Sequence, residues 1–172
     1  HLVLVPPRDL AEIFTIAVES NVVPLHLPGP RRSDLRTASF PDLLPHLVRQ
    51  LPSLRNLATA YLYTGDDIAR IARLDALARE HGLTILATNL PLYHMPQRRP
   101  LHDVMTAIRH KTTVAAAGYL LEANAERHLK GPEEMARLFA RWPHALAAAR
   151  DLADACTFSL EPQVPSKAFR DL

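Results

Sequence analysis

The sequence predicts an α/β protein with an open parallel sheet and flanking helices. Short apolar runs, several of them rich in β-branched residues, alternate with longer segments whose apolar residues recur at helical spacing. Fifteen prolines against five glycines mark the boundaries between these segments. Strands that alternate with helices in this way build βαβ units, in which the strands run parallel.

Four segments are predicted strands, because each is short, apolar and bounded by turn-forming residues. They are His1–Val5, Asn21–Leu27, Leu57–Tyr63 and Leu83–Asn89. Pro24 interrupts the second of them, which argues against a central position in a sheet. Four strands cannot close a barrel, since strand number and tilt are linked at closure. We therefore expect at least one uncovered edge strand.

Six segments are predicted helices. The segment Pro28–Phe40 is a predicted loop. The helices are Asp9–Glu19, Pro41–Leu51, Asp67–Glu80, Pro100–His110, Pro132–Arg141 and Pro143–Cys156. In the fourth helix the apolar residues have i, i+3, i+4 and i+7 spacing, and we expect this stripe to face the core. The stripe consists of Leu101, Val104, Met105 and Ile108. Cys156 lies on the apolar side of the last helix, which predicts a buried thiol.

Composition is that of an ordinary soluble globular domain, with 48% hydrophobic and 22% charged residues. The net charge of +2 is too small to argue nucleic-acid binding from the whole chain. The single cysteine excludes an internal disulfide and suits a reducing compartment. No apolar run reaches membrane-spanning length, so we expect a cytoplasmic protein.

A long ungapped stretch from Leu86 to Phe139 carries a family resemblance. Its motifs are Ala87-Thr88-Asn89, Tyr93-His94, Arg98 to Val104, Ala107-Ile108-Arg109, Ala117-Gly118, Asn124 to Lys130 and Pro132 to Phe139. This stretch resembles the bacterial C-family DNA polymerase III alpha subunits of the error-prone type. The resemblance covers residues 61–160 well and the first sixty residues poorly.

In that family the corresponding stretch closes the polymerase and histidinol phosphatase (PHP) domain and leads toward the palm. The resemblance thus implies an incomplete PHP-type, TIM-like barrel with a C-terminal helical extension. Residues 1–98 would form a partial PHP-like α/β domain, and residues 99–160 a helical region leading toward the palm. Residues 161–172 are predicted to be an irregular tail.

The family PHP domain binds a metal cluster, and one of its ligand motifs is an Asp-x-His that follows Ala-Thr-Asn. Leu90 and Leu92 occupy the corresponding positions here, and leucine offers a metal no lone pair. The early His-x-His motif of the family is also missing, and His94 stands alone. We expect no metal ligand and no cofactor in this segment, although the resemblance implies Mg²⁺ for the full polymerase.

Catalytic carboxylates of the polymerase kind are also not found. Nucleotidyl transfer needs closely placed carboxylates that hold Mg²⁺, and the sequence contains no Asp-x-Asp pair. The adjacent pair Asp66-Asp67 sits at a predicted helix start, where the helix dipole explains it. No Gly-x-Ser-x-Gly or phosphate loop occurs. We therefore expect no catalytic residue here.

A basic cluster between His94 and Lys130 is the candidate nucleic-acid site. Its members are Arg98, Arg99, Arg109, Lys111, Arg127 and Lys130, against three acidic residues. Lys and Arg neutralise phosphates, so one interpretation is contact with the DNA backbone. The other is a solvated face or ion pairs with the polymerase body, and the sequence does not separate them.

The predicted function is that of a segment of an error-prone DNA-directed DNA polymerase, serving replication and translesion repair synthesis. The segment itself would be a non-catalytic scaffold. Its expected partners are the remainder of the alpha subunit, DNA, and other replication or damage-tolerance proteins. Two alternatives stay open: a free-standing degenerate PHP-like interaction module, and a PHP-type metal-dependent phosphoesterase with a rearranged site.

Overall fold

A computed structural model describes residues 2–17 and 35–157 of the chain. The strands are β1 (Leu2–Leu4), β2 (Ile13–Ala17), β3 (Leu35–Ser39), β4 (Leu54–Thr59) and β5 (Thr84–Ala87). The helices are α1 (Phe40–Gln50), α2 (Asp67–Glu80), α3 (Arg99–Arg109), α4 (Pro132–Leu138) and α5 (Pro143–Ala155). In these two ranges no helix is both long and apolar enough to cross a membrane. The predicted α/β class is confirmed.

The central feature is a three-stranded open sheet in the order β1-β4-β5, with both strand pairs parallel. Leu57 in β4 lies opposite Leu4 of β1 and Ile85 of β5. The consecutive residues Leu57, Ala58 and Thr59 are all buried, although neighbours along a strand point to opposite faces. Both faces of β4 are therefore covered, as in other parallel sheets. The predicted strand Asn21–Leu27 lies outside the described residues.

The predicted helix Asp9–Glu19 is wrong over its described part. Strand β2 lies there instead and pairs antiparallel with β3, with Ile13 opposite Ser39. Strand β3 also occupies part of the predicted loop Pro28–Phe40, which is a second correction. The run Ile-Phe-Thr-Ile-Ala fits helical spacing, but its β-branched residues favour a strand once a partner is available.

The other predicted elements are confirmed with small shifts of their bounds. Helix α2 has the predicted bounds, Asp67–Glu80, while α1, α3 and α5 each begin or end within one residue of the prediction. Helix α4 ends at Leu138, three residues early. Strand β4 begins three residues before the predicted Leu57 and ends at Thr59, four residues before the predicted Tyr63, so this prediction is confirmed only in part. In each case the apolar period and the flanking Pro or Gly located the element.

The hydrophobic core joins the sheet to the helices α1, α2, α4 and α5. Its largest fully buried side chains are Leu44, Leu54, Leu57, Ile71, Leu74, Ile85 and Phe139. Helices α2 and α5 both pack on β5. The buried carboxylate of Asp75 in α2 lies 2.8 Å from the Nε2 atom of His144 in α5 and also pairs with Arg79. The C-terminal helices thus share one core with the sheet, and the predicted boundary between residues 98 and 99 stays a prediction.

The expected orientation of α3 is wrong. Leu101, Val104, Met105 and Ile108 face solvent, and Ile108 is 71% exposed. The buried residues of this helix are Thr106 and Ala107. The periodicity identified an amphipathic helix correctly, but it does not specify what covers the apolar side. The expected burial of Cys156 is wrong as well, since this residue is exposed at the end of α5.

Two isoleucine truncations test this assignment of the core. We expect Ile85→Ala to lower the free energy of unfolding by about 2–5 kcal/mol, because it leaves a cavity between sheet and helices. The matched change Ile108→Ala should stay within about 0.5 kcal/mol, because that side chain is in solvent. Urea unfolding followed by circular dichroism measures both. Equal losses from the two variants would contradict the exposed orientation of α3.

Candidate functional site

The carboxyl ends of β1, β4 and β5 open into a cleft of about 520 Å³. In open parallel sheets this edge is where ligands bind, so the cleft is the candidate site. Its apolar lining consists of Val5, Pro6, Ala60, Leu62, Leu90 and Ala123. Its polar lining consists of Arg8, Thr64, Asp66, Asp67, Arg70, Glu122, Asn124 and Arg127.

The two aspartates at the cleft hold the turn that starts α2. One carboxylate oxygen of Asp67 accepts the Leu62 N–H at 2.8 Å, and the other accepts the Thr64 N–H at 2.7 Å. Asp66 accepts the Thr64 hydroxyl at 2.9 Å. Asp67 is 5% exposed. These bonds fix the entry into α2.

Residues 122–127, which we call the clamp loop, close one side of the cleft. The Arg127 side chain donates from Nε to the Leu90 carbonyl at 2.8 Å and from a terminal nitrogen to Glu122 Oε1 at 2.8 Å. The Asn124 amide donates to the Leu62 carbonyl at 2.6 Å. The Leu92 N–H donates to the Arg127 carbonyl at 2.8 Å. The clamp loop thereby ties together the segments that follow β4 and β5.

The opposite wall depends on a second guanidinium. Arg70 donates to the carbonyls of Arg8 at 3.1 Å and Pro7 at 3.0 Å, which anchors the segment after β1 to α2. Burial lowers the pKa of Arg70, and the nearby Asp66 and Asp67 oppose that shift. Burial also raises the pKa of Tyr93, whose hydroxyl lies 3.4 Å from the Asn124 carbonyl. Arginine–carbonyl bonds are thus the main polar contacts of both walls.

The residues of the cleft do not fit the metal cluster that the resemblance implies for the PHP domain of its family. Leu90 lines the cleft, whereas Leu92 and His94 are exposed. Among residues 2–17 and 35–157, no three His, Cys, Asp or Glu side chains converge closely enough to hold a metal ion. Hard cations need several oxygen ligands, and the carboxylates at this cleft are already paired with amides, a hydroxyl or Arg127.

The six cations of the predicted nucleic-acid cluster divide into two groups. Arg99 donates to the Glu122 carbonyl at 2.6 Å and lies 3.6 Å from Asp103, so Glu122 joins it to Arg127. The Lys130 side chain is fully buried, with its ammonium 3.0 Å from Glu126. Arg98, Arg109 and Lys111 are exposed, near the two ends of α3. Nucleic-acid binding by the cluster stays a prediction.

Two features of the cleft were not predicted from the sequence. Arg70 contacts a segment more than sixty residues away, and its position in a helix gave no sign of this. Glu122 and Asn124 pin the clamp loop, and only the polar motif from Asn124 to Lys130 pointed toward this loop. Long-range polar contacts of this kind depend on the fold and leave no local period.

Leu90 has an uncommon backbone conformation at the cleft, with φ at +45°. A side chain with a Cβ atom is strained there, and asparagine tolerates this region better than leucine. We expect Leu90→Asn to raise the free energy of unfolding by about 0.5–1 kcal/mol. Leu92→Asn, at an exposed residue without this backbone conformation, is the matched control and should give no gain. Urea unfolding measures the free energy of unfolding of both variants. An unchanged or reduced stability of Leu90→Asn would contradict the proposed strain.

Comparison with known proteins adds the evolutionary context of this cleft. No protein-family model matches the chain. The error-prone DNA polymerase of Caulobacter vibrioides is 47% identical over 119 residues, which are 67% of this chain and 11% of that protein. The protein of the same name from Brucella abortus is 48% identical over 122 residues, 71% of this chain and 11% of its own length. That from Bradyrhizobium diazoefficiens is 53% identical over 105 residues, 61% of this chain and 9% of its own length.

The chain thus spans only 9% to 11% of the length of these curated relatives. Identities of this size over more than half of the chain establish common descent for the matched part. The resemblance drawn from the sequence motifs is confirmed: this chain is homologous to one segment of the bacterial error-prone DNA polymerases.

Proposed function

We propose that the chain serves as a non-catalytic scaffold segment of an error-prone DNA polymerase, acting in DNA replication and translesion repair synthesis. The observation that carries the proposal is the 47% identity over 119 residues to a protein named for that activity. The fold would be part of a PHP-type barrel. Three adjacent parallel strands with helices between them are consistent with such a part.

The scaffold role is supported by the chemistry at the strand ends. Leu90 occupies the position at which the resemblance implies a metal-binding aspartate, and the paired oxygens of Asp67 stabilise a turn. The groups that line the cleft hold segments of the protein to one another, as the bonds of Arg70 and Arg127 illustrate. The partner implied by this role is the remainder of the polymerase alpha subunit.

A second candidate function is a free-standing PHP-like interaction module. The observation that favours it is the exposed apolar stripe of α3, since stripes of this kind commonly mark binding surfaces. The phosphoesterase alternative has no comparable support, because the cleft carboxylates Asp66, Asp67 and Glu122 bind the turn before α2 and Arg127. Transplantation into a full-length relative distinguishes scaffold from module.

The test replaces the homologous segment of the Caulobacter vibrioides polymerase with the matched residues of this chain. We expect the chimera to extend a primer on a DNA template, because the transplanted residues supply packing and not catalysis. The isolated chain should incorporate no nucleotide under the same conditions. A chimera that purifies as a folded protein and yet extends no primer would contradict the scaffold proposal. A chimera carrying Ile85→Ala controls for loss of the core.

Contact with DNA is proposed only for the three exposed cations. We expect the isolated chain to bind DNA weakly and without sequence preference, with binding that falls steeply as salt rises. Arg98→Glu combined with Arg109→Glu should abolish most of this binding and reduce the logarithmic salt slope by about 2. Arg49→Glu with Arg73→Glu, also exposed helix cations, is the matched control. Fluorescence anisotropy at several salt concentrations measures both, and equal effects of the two pairs would remove α3 from the interface.

A further inference from the structure

We propose that the apolar face of α3 is a docking surface for an acidic amphipathic helix in the body of the error-prone polymerase. This inference rests on the proposed function and names the partner of the scaffold. The docking face consists of Leu101, Val104, Met105 and Ile108, which are 45% to 71% exposed. Residues three and four apart lie on one side of a helix, so these four side chains form a continuous strip.

Exposed apolar residues are concentrated around this helix. Of the fifteen large hydrophobic residues that are exposed in the described parts of the chain, ten fall between Leu92 and Leu129. Single exposed apolar residues are normal on a protein surface, whereas contiguous patches mark interaction sites. A strip of apolar side chains that stays in water contributes nothing to the stability of the helix.

The opposite side of α3 is fastened to the protein, which keeps the docking face outward. Thr106 and Ala107 are buried beneath the helix. Asp103 pairs with Arg99, and Arg99 also donates to the Glu122 carbonyl of the clamp loop. Turning the strip inward would break the bond from Arg99 to the clamp loop and would expose Ala107, which is unfavourable. The exposed strip is therefore a fixed feature of the surface.

The charges around the docking face select an acidic partner. Arg98 precedes the helix, Arg109 ends it, and Lys111 follows, and all three are exposed. The helix has one acidic residue, Asp103, and Arg99 neutralises it. An apolar strip with cationic ends complements a helix whose own apolar strip has acidic neighbours.

Other occupants fit the docking face less well. A second copy packed antiparallel would set Arg98 against Arg109 of its partner, and like charges at an interface are repulsive. A DNA backbone contacts the cations at the helix ends, as proposed above for the isolated chain, but it would leave the four apolar side chains of the strip uncovered, so DNA is not the occupant of the strip itself. The relatives point to the rest of the polymerase as the source of the occupant, because the matched residues are only 11% of the Caulobacter vibrioides protein. The remaining polypeptide is long enough to contribute the acidic helix.

Methionine footprinting tests the proposal, because Met105 lies in the docking face and Met95, also exposed, lies before the helix. The chain alone and the full-length chimera with the Caulobacter vibrioides polymerase are exposed to hydroxyl radicals, and oxidation of each methionine is quantified by mass spectrometry. We expect oxidation of Met105 to fall roughly fivefold in the chimera, as in a desolvated interface core, and Met95 to change much less. Arg109→Glu with Lys111→Glu should restore oxidation of Met105. Arg49→Glu with Arg73→Glu should not.

The outcomes separate this inference from the proposed function. A chimera that extends primers while Met105 stays fully oxidisable overturns the docking face and leaves the scaffold role standing. A folded chimera with protected Met105 but no primer extension overturns the scaffold role and supports the docking face. Protection that grows with the concentration of the isolated chain identifies a second copy as the occupant and overturns the proposal. Protection that appears only after DNA is added overturns it in favour of nucleic acid.

Discussion

The need to cover a parallel sheet on both faces is the constraint on which this structure depends. No residue of β4 from Asn56 to Thr59 is exposed, although these residues alternate between the two faces. Helices α1, α2 and α5 contribute side chains to the core that covers the sheet, and α2 packs on both β4 and β5. The contact between the buried carboxylate of Asp75 and the partly exposed imidazole of His144 links α2 to α5. Residues far apart in the chain thereby pack in one core.

Helix α3 is the described helix that contributes no side chain to this core. The described core draws side chains from α1, α2, α4 and α5, while the apolar strip of α3 is in solvent. The polar side of α3 is meanwhile tied to the clamp loop through Arg99. An amphipathic helix attached by its polar side is reversed relative to an ordinary surface helix. The reversal leaves an apolar surface of fixed orientation exposed to solvent.

Local signals decided which parts of this structure were predictable. Helix α2 was predicted residue for residue, because Asp66 precedes it and Gly82 follows it closely, and its apolar residues keep one period. Strand β2 was mistaken for a helix, because the run from Ile13 to Ala17 satisfies both periods and its pairing with β3 decides the outcome. The face of α3 was misjudged for a related reason: the pattern fixes which side is apolar, but the packing of other elements fixes where that side points. At the candidate site, the leucines at positions 90 and 92 were readable from the sequence, whereas the contacts of Arg70 and Glu122 were not.

The strand-end cleft illustrates how chemistry and geometry can separate within one family. Leu90 has a left-handed backbone, a conformation that suits aspartate or asparagine better than leucine. The resemblance implies an aspartate at this position in the family, so the backbone of this chain keeps a shape appropriate to the residue that it lacks. The shape persists because Arg127 binds the Leu90 carbonyl and Leu92 donates to the Arg127 carbonyl, and neither bond involves a side chain at position 90. These two bonds to main-chain carbonyls therefore hold this part of the cleft independently of the side chain at position 90.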